Sequence, residues 1–91
     1  MGKFEFRFWT ATADTTLVIS ASSVSEAINK LPNHITDIDI SLTTELSRVD
    51  INKVKTDDTY GDVIGSEKLQ SIDVTGTELQ NVQVLLQNNS Y

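Results

Sequence analysis

Aromatic and charged residues alternate near the start of the chain. Phe4, Phe6 and Phe8 are interleaved with Glu5 and Arg7, and Trp9 follows on the charged side. This period of two, rich in aromatics, predicts a half-buried strand. The small, polar stretch 11–14 turns the chain, and Leu17, Val18 and Ile19 form a second apolar run. Such short spacing predicts an antiparallel hairpin.

The period then changes. Val24, Ala27, Ile28 and Leu31 fall at i, i+3, i+4 and i+7, one apolar stripe of a helix of about two to three turns. Ser23 precedes the stripe and stands three residues before Glu26, the spacing of a capping box in which a hydroxyl and a carboxylate each satisfy an orphan backbone N–H. Pro32 restricts Leu31 and ends the predicted helix.

Alternation resumes at Ile38, Ile40 and Leu42, set between Asp37, Asp39 and Ser41, which predicts a third strand. A turn at 43–45 leads to a fourth strand at Val49 and Ile51, hairpinned to the third. Residues 56–62 read as a loop pivoting on Gly61. Gln70, Ile72 and Val74 make a short fifth strand that Thr75-Gly76-Thr77 turns back. The segment 79–87 fits two periods: Val82, Val84 and Leu86 suit a strand, while Leu79, Val82 and Leu86 suit a helix face. Strand is preferred because a turn precedes it and no good helix cap does. The expectation is one α+β domain over residues 1–87, with 88–91 frayed. It holds a mostly antiparallel sheet of five or six strands and one short helix on one face, in the order ββαββββ.

Composition narrows the function classes. Ninety-one residues have no room for a second, substrate-binding domain. The absence of cysteine removes disulfides, thiolate metal sites and thiol nucleophiles together. No apolar run approaches the roughly 18 residues that span a bilayer, and the N-terminus lacks the apolar core of a signal peptide. Together these point to the cytoplasm.

Charge adds a partner preference. The formal net charge is −6, and its distribution is uneven. Residues 57–91 carry Asp57, Asp58, Asp62, Glu67, Asp73 and Glu78 against Lys68 alone, a net of −5. With a pI near 4.4, the chain has no basic stripe to displace counterions from phosphates and no affinity for an anionic membrane surface. Its acidic field selects a protein partner with a basic surface.

Catalytic and metal motifs fail on inspection. The twelve residues from Thr56 to Glu67 place Gly61, Val63 and Glu67 as a calcium loop would. Thr56, however, stands where an aspartate should, and the flanks read as strands. His34 is the only histidine and has no companion ligands; Asp37, on a strand, would face away from it. Asp37 and Asp39 share a wet strand face with no pocket around them. No glycine-rich phosphate loop opens the helix. No cofactor, metal or catalytic residue is assigned, and an enzyme is not expected.

The candidate contact residues are Trp9, on the strand face opposite the phenylalanines, together with Asp57, Asp58, Tyr60, Asp62 and Glu67 of the acidic loop. Tryptophan anchors interfaces, and acids steer association. One short helix cannot cover five or six strands, so the uncovered part must be polar, curl on itself or be buried by another molecule. The expected function is a small acidic protein-binding module acting by occupying a partner's surface, such as that of a nucleic-acid-handling host enzyme. In general character, compact, acidic and free of cysteine, the chain is similar to phage and mobile-element inhibitors of host enzymes, anti-CRISPR proteins among them. That likeness extends to no motif. The alternative is an assembly protein that self-associates through an uncovered sheet face or edge.

Overall fold

The computed structural model describes residues 2–57 and 59–89. Its elements run β1 (Gly2–Trp9), β2 (Asp14–Ala21), α1 (Val24–His34), a 3-10 turn (Ile35–Asp37), β3 (Glu45–Thr56), β4 (Val63–Glu78), a second 3-10 turn (Leu79–Asn81) and α2 (Val82–Asn89). The class is α+β and the sheet is antiparallel throughout, but it has four strands in the order β2-β1-β3-β4, and two helices rather than one.

The opening hairpin forms as the alternation predicts. Phe6 lies opposite Leu17 and Trp9 opposite Asp14, and the turn is closed by the Thr10 amide bonded to the Ala13 carbonyl at 2.8 Å. Phe4, Phe6 and Phe8 all point into the core.

In α1, Ser23 is the N-cap: its hydroxyl accepts from the Glu26 amide at 3.2 Å. Only half of the expected box is built, because the Glu26 carboxylate turns to the Ser22 hydroxyl at 2.5 Å and to Lys30 at 3.2 Å. Pro32 does not end the helix. It has no N–H for the Ile28 carbonyl, but its ring is exposed and the Ile35 amide still reaches the Leu31 carbonyl, which carries the helix to His34.

Three further sequence expectations are overturned. The Ile38–Leu42 alternation is a loop, with Ile38 turned into the core and Ile40 packed against it. The end of this segment and the residues after it are held by the start of the C-terminal helical segment: Gln80 N–H donates to the Leu42 carbonyl at 2.9 Å and Leu79 N–H to the Thr44 carbonyl at 3.0 Å. The Thr75-Gly76-Thr77 turn is a bulge inside one long strand. The step from Asp73 to Thr77 on β4 faces only the step from Arg48 to Leu46 on β3, and Gly76 absorbs the kink at φ 81°. The segment 79–87 is helical, because Leu79, Val82 and Leu86 are all buried on one side while Val84 is left outside. Asn88 and Asn89 close α2, with the Asn89 carboxamide donating to the Leu85 carbonyl at 2.8 Å; residues 90 and 91 lie outside the described residues.

Both helices pack on the phenylalanine face, where one cluster joins Ala27, Ile28 and Leu31 of α1 and Val82 and Leu86 of α2 to the sheet. Two helices on four strands cover that face. Of the alternatives for the uncovered part of the sheet, the polar one describes the face opposite the helices, so the coverage argument no longer calls for a partner to bury it.

Candidate protein-interaction surface

The opposite face of the sheet carries no helix and is polar. Strand register sets its side chains in rows: Arg7 lies opposite Asp50, which lies opposite Ser71, and Trp9 lies opposite Arg48, which lies opposite Asp73. Asp50 is the hub of this face and only 4% exposed. Its carboxylate accepts from Trp9 Nε1 at 2.9 Å and from Ser71 Oγ at 2.7 Å, with Arg48 Nε at 3.2 Å and Lys68 Nζ at 3.8 Å. Burial opposes ionisation, but the hydrogen bonds from Ser71 and Trp9 and the charges of Arg48 and Lys68 outweigh it and hold the carboxyl below its ordinary value.

Trp9 is thus a structural residue of the sheet. The Arg7 and Arg48 guanidiniums lie 5.8 Å and 4.8 Å from its ring centroid, and its N–H is committed to Asp50. Further along the same face, Asn52 donates to the Glu5 carboxylate at 3.0 Å. The sequence offered a signal for this arrangement: Arg48, Asp50 and Asn52 alternate with apolar residues on a strand able to face Trp9.

The loop residues gather elsewhere. β3 and β4 form one long hairpin; twelve residues at about 3.3 Å each make β3 about 40 Å long, close to the 42 Å long axis of the molecule. Asp57, Tyr60 and Asp62 sit at its tip. Glu67 lies a few residues down β4, opposite Lys53. Asp58 is outside the described residues. Trp9, whose opposite residue is Arg48, lies five residues along β3 from Lys53, about 17 Å away, so the structure separates it from the loop set.

Asp57 works inside the loop. Its side chain accepts from the Thr59 amide at 2.7 Å and the Tyr60 amide at 3.1 Å, while its backbone closes the loop with Gly61 and Asp62. Gly61 takes φ 73°, which favours glycine. Val63–Glu67 are strand, and among the described residues no group of three or more acids or histidines could hold a metal ion.

Apolar side chains at this tip are unusually open: Tyr60 is 80% exposed, Val63 65% and Ile64 67%. Val63 and Ile64 were missing from the sequence-derived set. Their signal was an adjacent apolar pair beside an acidic loop, matched to neither helical nor alternating spacing. At the base of the tip, β1–β3 pairing stops at Phe4 and Lys53, although β1 continues beside β2 to Gly2 and β3 beside β4 to Thr56. The two strand pairs enclose a groove of about 560 Å³ lined by Gly2 and Lys3 on one wall and by Lys53, Lys55 and Ile64 on the other.

His34 closes α1 with its Nδ1 3.6 Å from the Asp37 carboxylate, so Asp37, on a 3-10 turn rather than a strand, faces it after all. Both side chains are well exposed. Among the described residues, no helix is long and apolar enough to cross a membrane. Comparisons with protein-family models, curated proteins and solved structures find no match to this chain.

Proposed function

We propose that the protein is a small binding module that acts by occupying a partner's surface, and that its contact surface is the end of the β3–β4 hairpin. The observation that carries this reading is the exposure of Tyr60, Val63 and Ile64 together at one projecting tip. Val63 and Ile64 are consecutive on β4 and face opposite ways, so with Tyr60 they make the end of the hairpin apolar on both sides, a concentration that marks interaction sites more than single exposed residues do. Asp62 and Glu67 flank them and favour a partner with a basic surface, steering its approach while the apolar residues supply the contact. Occupancy of a surface that otherwise holds an anionic ligand would make the module an inhibitor. Trp9 leaves the contact set because its ring and N–H are committed within the sheet.

The test begins with capture of a partner from the native source, followed by binding measurements with both proteins purified. The triple variant Tyr60→Ala/Val63→Ser/Ile64→Ser should weaken binding at least about tenfold, since central apolar anchors each contribute more than about 1 kcal/mol. Asp62→Asn should slow association and reduce its dependence on salt. Unchanged affinity in the folded triple variant would remove the tip from the interface.

A further inference from the structure

Four of the seven cationic side chains are matched within the chain: Arg7 with Asp14, Lys30 with Glu26, and Arg48 and Lys68 with Asp50. Lys3, Lys53 and Lys55 have no carboxylate within ion-pair distance among the described residues, and all three line the groove at the base of the hairpin tip. This is unexpected in a chain with thirteen acids. The tip itself carries the reverse imbalance: among the described residues Asp62 has no cation within that distance, and Glu67, though opposite Lys53 in register, forms no ion pair with it. Among the described residues, one end of the molecule therefore presents charges of both signs outside any ion pair, beside exposed Tyr60, Val63 and Ile64.

A long polyanion would meet the tip acids and a net charge of −6. A small anion would satisfy the lysines and leave the apolar side chains in water. A purely basic partner would cover the tip and leave the lysines without a counter-charge. A second copy of this chain supplies all three: acids for the lysines, lysines for the acids, and apolar surface for apolar surface. A two-fold pairing needs just such a patch, in which residue i meets j and j meets i.

We propose that the hairpin end is a self-complementary interface through which two copies pair about a two-fold axis, the tip of each seated against the lysine-lined groove of the other. This rests on the reading that the hairpin end is the contact surface and adds what occupies it in the free protein. The dimer is the resting form, and a heterologous partner that uses the tip must draw on the monomer.

Sedimentation equilibrium of the purified chain at low salt should give twice the monomer mass of 10.1 kDa. The dissociation constant should rise as salt screens the exposed pairs. Lys55→Glu and Asp62→Lys should each raise that constant at least about tenfold, because each sets like charges against each other across the axis. The double variant carrying both changes should recover dimerisation, while circular dichroism confirms that all three fold. A parent that stays monomeric up to about 0.5 mM, far above the concentrations at which specific interfaces form, overturns the proposal. So does single-variant dimerisation equal to that of the parent, or a double variant that fails to recover. A monomeric parent that still loses its captured partner on Tyr60, Val63 and Ile64 substitution would sink the dimer alone. A dimer whose partner binding ignores those substitutions would sink the partner reading alone.

Discussion

Trp9 and Asp50 are joined by a 2.9 Å hydrogen bond from the indole N–H to the carboxylate, across 41 positions of sequence. The bond ties the end of β1 to the middle of β3 on the face that no helix covers. It also explains how a carboxylate can be almost fully buried on that face: the indole and the Ser71 hydroxyl donate to it, and Arg48 and Lys68 balance its charge.

Trp9→Phe should keep a ring beside the two arginines and lose only the N–H. Hydrogen bonds to charged groups contribute about 1.5–3 kcal/mol, so urea unfolding should show a loss of that order. Asp50→Ala should cost at least as much, since it strips two donors of their acceptor at once. If the two losses simply add in the double variant, Trp9 and Asp50 are not coupled and the bond does not form in solution.

The same carboxylate gives stability a pH dependence. Asp50 is held below its ordinary value of 3.8 because the Ser71, Trp9, Arg48 and Lys68 interactions outweigh its burial. A lowered carboxyl contributes stability that is complete above the unfolded value and is lost as pH falls through the folded one. Glu26, through the Ser22 hydroxyl and Lys30, and Asp73, through Thr75, are shifted in the same direction. Melting temperature should therefore be flat near neutrality and fall below about pH 4, with Asp50→Asn losing part of that slope. An identical acid profile in the variant would show that Asp50 is not the group responsible.

The two periods of the C-terminal segment agree in burying Leu86 and differ over Val84. In the helix, Leu86 is fully buried and Val84 is 61% exposed. Leu86→Ala should cost about 2–5 kcal/mol, the range for emptying a core site, and Val84→Ala should fall within about 0.5 kcal/mol of the parent, as exposed sites do. Equal costs at the two positions would restore the strand.

Ser23→Ala removes the hydroxyl that accepts from the Glu26 amide and should cost about 0.5–2 kcal/mol. Ser22→Ala should cost less than Ser23→Ala, because it removes a side-chain contact on the surface and leaves the backbone cap in place. The reverse order in thermal unfolding would mean that the helix begins one residue earlier.

What the sequence made legible was local. Phe4, Phe6 and Phe8 needed only their own alternation, and Ser23 only the three residues after it. The errors arise where distant backbone decides. The Ile38–Leu42 alternation is that of a strand, yet the carbonyls of Leu42 and Thr44 are taken by Gln80 and Leu79, which no local pattern announces. Gly76 marks a positive φ in either a turn or a bulge, and only the register of β3 against β4 separates the two. At the tip, Tyr60 and Asp62 could be read from loop composition. The lysine groove could not, because it exists only where β1 and β3 part company.

The strand order also sets how the chain can reach this structure. β1 and β3 are neighbours at the centre of the sheet, yet β2, α1 and the segment 35–44 intervene between them in sequence. Neither half closes its own sheet: residues 2–37 leave one edge of β1 bare, and residues 45–89 leave one edge of β3 bare. Completing the sheet thus requires two hairpins distant in sequence to meet, a non-local contact of the kind that slows folding. A chain severed between residues 38 and 44 keeps every strand whole, so its two fragments have what they need to find each other and rebuild the sheet.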